Sequence, residues 1–142
     1  MTNPSVEGIE KALRRAIGNS GIKLTDIGYI NAHGTGTSEN DKTECAALKN
    51  IFGKELKGIP VSSIKSALGH AMGAASALEA TACCLAIAEG TPPPTINFEE
   101  KDPECDVDCV PNQGRKKEVV GVLNNASAFG GNNACVVFKI CA

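Results

Sequence analysis

The sequence predicts an α/β fold: a mixed sheet with helices on both faces, one of them a buried central helix. Three observations carry this. A chain of 142 residues has the length of one domain and can bury a real core. Runs with apolar residues near helical period alternate with short β-branched runs, in the order helix, strand, helix, strand, helix, loop, strand, strand. Residues 71–88 are almost wholly small and apolar, with Glu79 as the only charge. A helix that is apolar on every side belongs inside a protein. A membrane span needs about 20 strongly apolar residues. This run is shorter, alanine-rich and holds a carboxylate, so it reads as core.

The elements follow in order. Val6, Ile9, Leu13 and Ile17 fall near helical period, with Lys11, Arg14 and Arg15 towards the other side. This is an amphipathic surface helix that Gly18 or Gly21 ends. Residues 29–32 form a short buried strand, and its end carries His33-Gly34-Thr35-Gly36-Thr37. Glycines there let the backbone approach a ligand, and strand ends are where α/β proteins bind ligands. Ser38, with Asp41 three residues on, suits a helix cap, and the helix runs to Phe52 before Gly53. The acids Asp41 and Glu44 in its first turns suit the helix dipole. A strand over 61–64, entered through Pro60, ends in a turn with Lys65 and His70, and the apolar helix follows. Thr91-Pro92-Pro93-Pro94-Thr95 stops that helix and opens a loop to about Gln113, too long to be featureless, which is expected to wrap the surface as a strap. Residues 119–123 and 134–140 are β-branched strands, with a turn over 124–133 between them.

Composition narrows the function. The chain is 42% hydrophobic and 21% charged, with a net charge of −2, which implies no general attraction to nucleic acid or membrane. Four Phe, one Tyr and no Trp argue against a base-stacking surface. Seven cysteines without disulfide-framework spacing suit free thiols in a reducing cytosol. The Cys105/Cys109 pair has no second pair or histidine at zinc spacing, so no metal site is expected.

Four motifs stand in sequence: H-G-T-G-T from His33; S-x-K-S-x-x-G-H from Ser63 to His70; G-A-A at Gly73 to Ala75; and N-x-x-x-F-G-G from Asn125 to Gly131. With the P-P-T-I-N stretch at Pro93 to Asn97, they resemble the β-ketoacyl-acyl carrier protein synthases, most closely the elongating, decarboxylating enzymes of fatty acid and polyketide synthesis. The resemblance covers nearly the whole chain. It implies the C-terminal half of a thiolase-like fold, with residues 1–142 forming the C-terminal synthase domain.

The resemblance also implies the chemistry. The family joins an acyl thioester to a malonyl thioester on carrier protein. A cysteine takes the acyl group, malonyl loses carbon dioxide, and donors stabilise the developing enolate. His33 and His70 match those donors, and Lys65 matches the cation that supports them. Glu44 matches the carboxylate that meets this lysine. Glu79 matches an acid with a structural or ion-binding role. Thr35 and Thr37 match the hydroxyls that hold a phosphopantetheine arm. Phe129 matches the gate of the acyl pocket, with Gly130 and Gly131 leaving it room to swing. No bound cofactor is implied, because phosphopantetheine arrives on the carrier protein. The implied partners are acyl carrier protein, the N-terminal half of the synthase, and a second copy in a homodimer of the full enzyme. The implied compartment is the cytosol or an organelle.

Two departures matter. Ser127 and Ala128 stand where the family turn usually has a second Phe and a Gly. The family's cysteine-serine nucleophile motif does not occur, so the chain alone is expected to be inactive. The alternative is a non-catalytic module that binds an acyl chain or carrier protein.

Overall fold

The computed structural model describes residues 4–140. Helix α1 (Val6–Ser20) starts where Ser5 Oγ accepts the Gly8 amide, and ends at Gly21 in the left-handed conformation. Gly18 lies inside it. Its buried residues, Ile9 and Leu13, sit one turn apart on the predicted face.

Strand β1 (Ile27–Asn31) is central. It pairs in parallel with β2 (Val61–Ser62) on one side and β3 (Gly121–Ala128) on the other, and β4 (Asn132–Lys139) runs antiparallel to β3. The order β2-β1-β3-β4 is the mixed sheet the sequence predicts. Helix α2 (Ser38–Phe52) connects β1 to β2, and α4 (Ala75–Glu89) lies between β2 and β3 in sequence. One core joins α1 and α2 to the sheet through Ile9, Leu13, Ile30, Leu48, Phe52 and Leu123. On the other face Cys83 and Ala86 of α4 pack on Tyr29 and Val122. Helices therefore cover both faces.

Four local expectations need correction. Ser38 is not the cap of α2. Thr37 holds that position without a side-chain cap bond, and its hydroxyl pairs with Thr35 Oγ1 instead (2.9 Å). The strand over 61–64 keeps only two residues, because Lys65 opens a short helix, α3 (Lys65–Leu68). The turn over 124–133 shrinks to Phe129-Gly130-Gly131, because Asn124 to Ala128 pair regularly with Val136 to Asn132. Finally, α4 is not buried all round. Ala75, Glu79, Cys83 and Ala86 form one buried seam, and the other sides face outward within this chain. By length and composition residues 72–89 are apolar enough to cross a membrane, but the seam packs on the sheet.

The strap over residues 91–120 holds no helix and covers the free edge of β2. Val61 N donates to Asp108 O (2.7 Å), Thr95 N to Val110 O (3.0 Å) and Asn112 N to Thr95 O (2.8 Å). Covering an edge removes unpaired backbone groups that would recruit another strand. Two side-chain bonds pin the strap near the ends of β1 and β2. Ser62 Oγ donates to Pro93 O (2.6 Å), and Ile96 N donates to Ser66 Oγ (3.0 Å).

Candidate active site

Parallel β1 and β2 end side by side, so the loops that leave them share one edge of the sheet. The β1 loop carries His33. The β2 end carries Ser63 and, beyond the short helix α3, His70. Gly34 is what lets the two loops meet. Its φ is +41°, and a Cβ there would lie 2.5 Å from Ser63 Cβ. Only glycine fits that backbone against Ser63.

Lys65 is buried under His33. Its Nζ donates to His33 O (2.6 Å), lies 3.5 Å from His33 Nδ1, and forms an ion pair with Glu79. Glu79 comes from the buried seam of α4 and is itself fully buried. A buried ammonium is tolerated when paired and hydrogen-bonded in this way. The His33 and His70 rings meet edge to face, with centroids 5.6 Å apart. His33 is buried and His70 is exposed. Burial, with Lys65 and His70 adding to it, pushes the His33 imidazole down to about 4, so it is neutral at physiological pH. His70 Nδ1 accepts the Met72 amide (3.1 Å), which leaves its proton on Nε2. Lys65 beside His33 Nδ1 likewise favours the Nε2–H tautomer there.

Glu44 does not meet Lys65, which corrects the expectation for this pair: Glu79 takes that role. The Glu44 carboxylate turns to the other side of the His33 loop. It accepts from His33 N (2.8 Å), Gly34 N (3.0 Å) and Asn125 Nδ2 (2.7 Å). Burial pushes its carboxyl up, and those bonds oppose the shift. The His33 peptide is thus gripped from both sides, its N–H by Glu44 and its C=O by Lys65.

Thr35 and Thr37 stay together at the loop tip, hydroxyl to hydroxyl. Phe129 is 72% exposed at the tip of the β3–β4 hairpin, where Gly130 and Gly131 take φ of +81° and +79°. Ser127 donates to Asn133 Oδ1 (2.8 Å) across the hairpin, which extends its regular part. Phe129, Gly130 and Gly131 do not line the main cavity. That cavity, of about 650 Å³, lies between the strap and the two loops and is lined by Thr35, Glu44, Ser63, Lys65, His70 and strap residues including Cys105.

Sequence reasoning missed a buried polar chain beneath the site. Asn31 Nδ2 donates to Asn124 Oδ1 (2.8 Å), the Tyr29 hydroxyl bonds Ser62 Oγ (3.0 Å), and it donates to Asn31 Oδ1 (3.3 Å). Asn124 and Asn125 read as turn residues because Asn favours turns. The available signal was the β-branched run that they continue. Among the cysteines, Cys83 is buried and Cys84 exposed, and burial pushes the Cys83 and Cys135 thiols up to about 12.

Known proteins resemble this chain in sequence and fold. The family described as "Beta-ketoacyl synthase, C-terminal domain" matches residues 1–99. Nodulation protein E of Rhizobium meliloti is 47% identical over 98% of this chain and 35% of its own length. The 3-oxoacyl-[acyl-carrier-protein] synthase 2 of Synechocystis is 46% identical over 96% of this chain and 33% of its own. The chain thus spans about a third of the length of these relatives. A solved type II polyketide-synthase acyl carrier protein in complex with its ketosynthase superposes with a TM-score of 0.95 at 36% identity, over 99% of this chain and 35% of that one. Fold, motifs and relatives agree that this chain belongs to the β-ketoacyl synthase C-terminal domain family, with the thiolase-like α/β architecture of the ketosynthases.

Proposed function

We propose that this chain supplies the two-histidine part of a ketosynthase active site, for decarboxylative condensation of an acyl thioester with a malonyl thioester in fatty acid or polyketide synthesis. The observation that carries this is the edge-to-face pair of His33 and His70, with Lys65 beneath His33. Both imidazoles carry their proton on Nε2 and are free to donate it. When malonyl thioester loses carbon dioxide, electrons flow into its carbonyl and an enolate oxygen develops. Two N–H donors aimed there stabilise it. The enolate carbon then attacks the acyl thioester, and the thiolate leaves.

A neutral His33 suits this role better than a charged one, because a fixed donor stabilises the oxyanion without giving its proton away. Burial, with the Lys65 ammonium adding to it, holds His33 neutral, and Glu79 pairs with that lysine. Thr35 and Thr37 hold the phosphopantetheine arm of the substrate, and Phe129 with its two glycines moves over the acyl chain. The acyl-bearing cysteine comes from the rest of a ketosynthase, whose other half packs on this chain. The partner is acyl carrier protein, the protein that the matched polyketide complex contains, and the complete enzyme is a homodimer.

The test mixes the 142-residue chain with the complementary N-terminal polypeptide of a relative and follows carbon dioxide release from malonyl carrier protein. Release is expected only in the mixture, and His33→Ala or His70→Ala removes it. Acyl carrier protein thioester alone leaves the intact mass of the chain unchanged. Acylation and product from the chain alone would overturn the incomplete-site reading. Carrier-protein binding that is indifferent to both histidines, with no release in any mixture, would make it a binding module.

A further inference from the structure

We propose that Met72 is a positioning residue for His70 and acts through its backbone: a left-handed turn at Met72 aims its amide at His70 Nδ1 and so directs the Nε2 proton outward. What that proton then does rests on the condensation proposed above. How it is aimed rests on geometry alone.

The two histidines are held by different means. His33 has the Lys65 ammonium 3.5 Å from its Nδ1. For His70 the Met72 amide is the one hydrogen-bond partner of the ring among the described residues (3.1 Å). Met72 takes a φ of +50° to place it there. Glycine and asparagine enter this region readily. A long side chain enters it rarely, because its Cβ crowds the carbonyl oxygen that follows. The Met72 side chain does nothing within this chain to offset that cost, since it is exposed.

The turn is built around the ring. Gly69, just before His70, has φ +74° and ψ 177°, a conformation open essentially to glycine. The backbone therefore bends at the residue before His70 and again at the second residue after it. The Ala74 amide then donates to Ala71 O (3.0 Å), and α4 begins at Ala75. The seam of α4 is fixed on the sheet by Cys83 and Ala86. A change of φ at Met72 cannot swing that helix. It swings the peptide between Ala71 and Met72 instead, and the amide leaves the ring. Strain of this kind persists where the surrounding structure holds it, and it gathers at functional sites.

The experiment uses the folded 142-residue chain, isotopically labelled for NMR. It reads the nitrogen–nitrogen scalar coupling across the Met72 N–H···Nδ1 hydrogen bond, which exists only while the amide points at the ring. The native chain should show the coupling. Met72→Gly and Met72→Asn should keep it, although both discard the apolar side chain. Met72→Val should lose it, because a β-branched residue avoids positive φ although it stays apolar. A role for the side chain predicts the reverse order. The Tyr29 ring resonances, from beneath α4, report that each variant is folded. If Met72→Val does not fold, the other two variants still decide. Coupling kept in Met72→Val, coupling lost in both Met72→Gly and Met72→Asn, or coupling absent from the native chain overturns the proposal. In the mixture with the N-terminal polypeptide, carbon dioxide release should fall by up to about 100-fold in Met72→Val, and Met72→Asn should recover much of it. A native mixture that releases none, with the coupling pattern intact, overturns the condensation and leaves the aim of His70 standing.

Discussion

Lys65 and Glu79 depend on each other more than either depends on the rest of the protein. Both side chains are almost wholly withdrawn from water, so removing one leaves a buried, uncompensated charge. Lys65→Met should therefore cost about 3–5 kcal/mol in urea unfolding, and Lys65→Met with Glu79→Leu should recover much of it. His33 makes a pH prediction. Its folded value of about 4 lies below the ordinary 6.5, so the unfolded chain binds a proton that the folded chain refuses. Stability should fall as pH drops through that window and level off below it. His33→Gln should remove this component, and an NMR titration should show one imidazole still neutral near pH 5. Which carboxylate meets Lys65 was not legible in the sequence. Glu44 and Glu79 are both acids on helices, and only the return of α4 beneath α3 brings Glu79 to the lysine.

At the scale of elements, the β1 loop rests on two glycines with different duties. Gly34 needs both its positive φ and its missing side chain, because Ser63 lies against it. Gly36 needs only its φ of +72°, since open space surrounds it. Gly36→Ala should cost about 1–2 kcal/mol, the usual charge for the left-handed region. Gly34→Ala should cost more and should separate the His33 and His70 resonances from their native positions. Helices α1 and α2 were legible because their apolar spacing and flanking glycines agree. The full length of β3 was not, because Asn-Asn and Gly-Gly both signal a turn, and only pairing with β4 decides which is one. The strap was legible as a strap because three consecutive prolines cannot join a ladder.

For the whole molecule, the outward faces of α3 and α4 matter most. Leu68 and Met72 are 61% and 70% exposed, and Leu78 and Leu85 join them. A patch of this kind drives association. Sedimentation of the isolated chain should show dimers or larger species, and Leu78→Asp with Leu85→Asp should shift it towards monomer. A clean native monomer at high concentration would contradict this. The same faces explain the main misreading of the fold. The pattern of residues 71–88 suits contact on every side, while this chain supplies contact to one seam. Composition records what a helix can touch, not which part of a protein provides it.

Tyr29 lies under that seam, fully buried against Cys83 and bonded to Ser62. It is the only tyrosine, and there is no tryptophan. The chain therefore carries a single fluorophore that can be excited apart from its phenylalanines, placed where α4, β1 and β2 meet. Burial holds its phenol protonated far into alkali. Phenolate absorbance in a base titration should thus appear together with loss of the fold, and not before it. The docking of α4 on the sheet can be followed by light alone, with no label added.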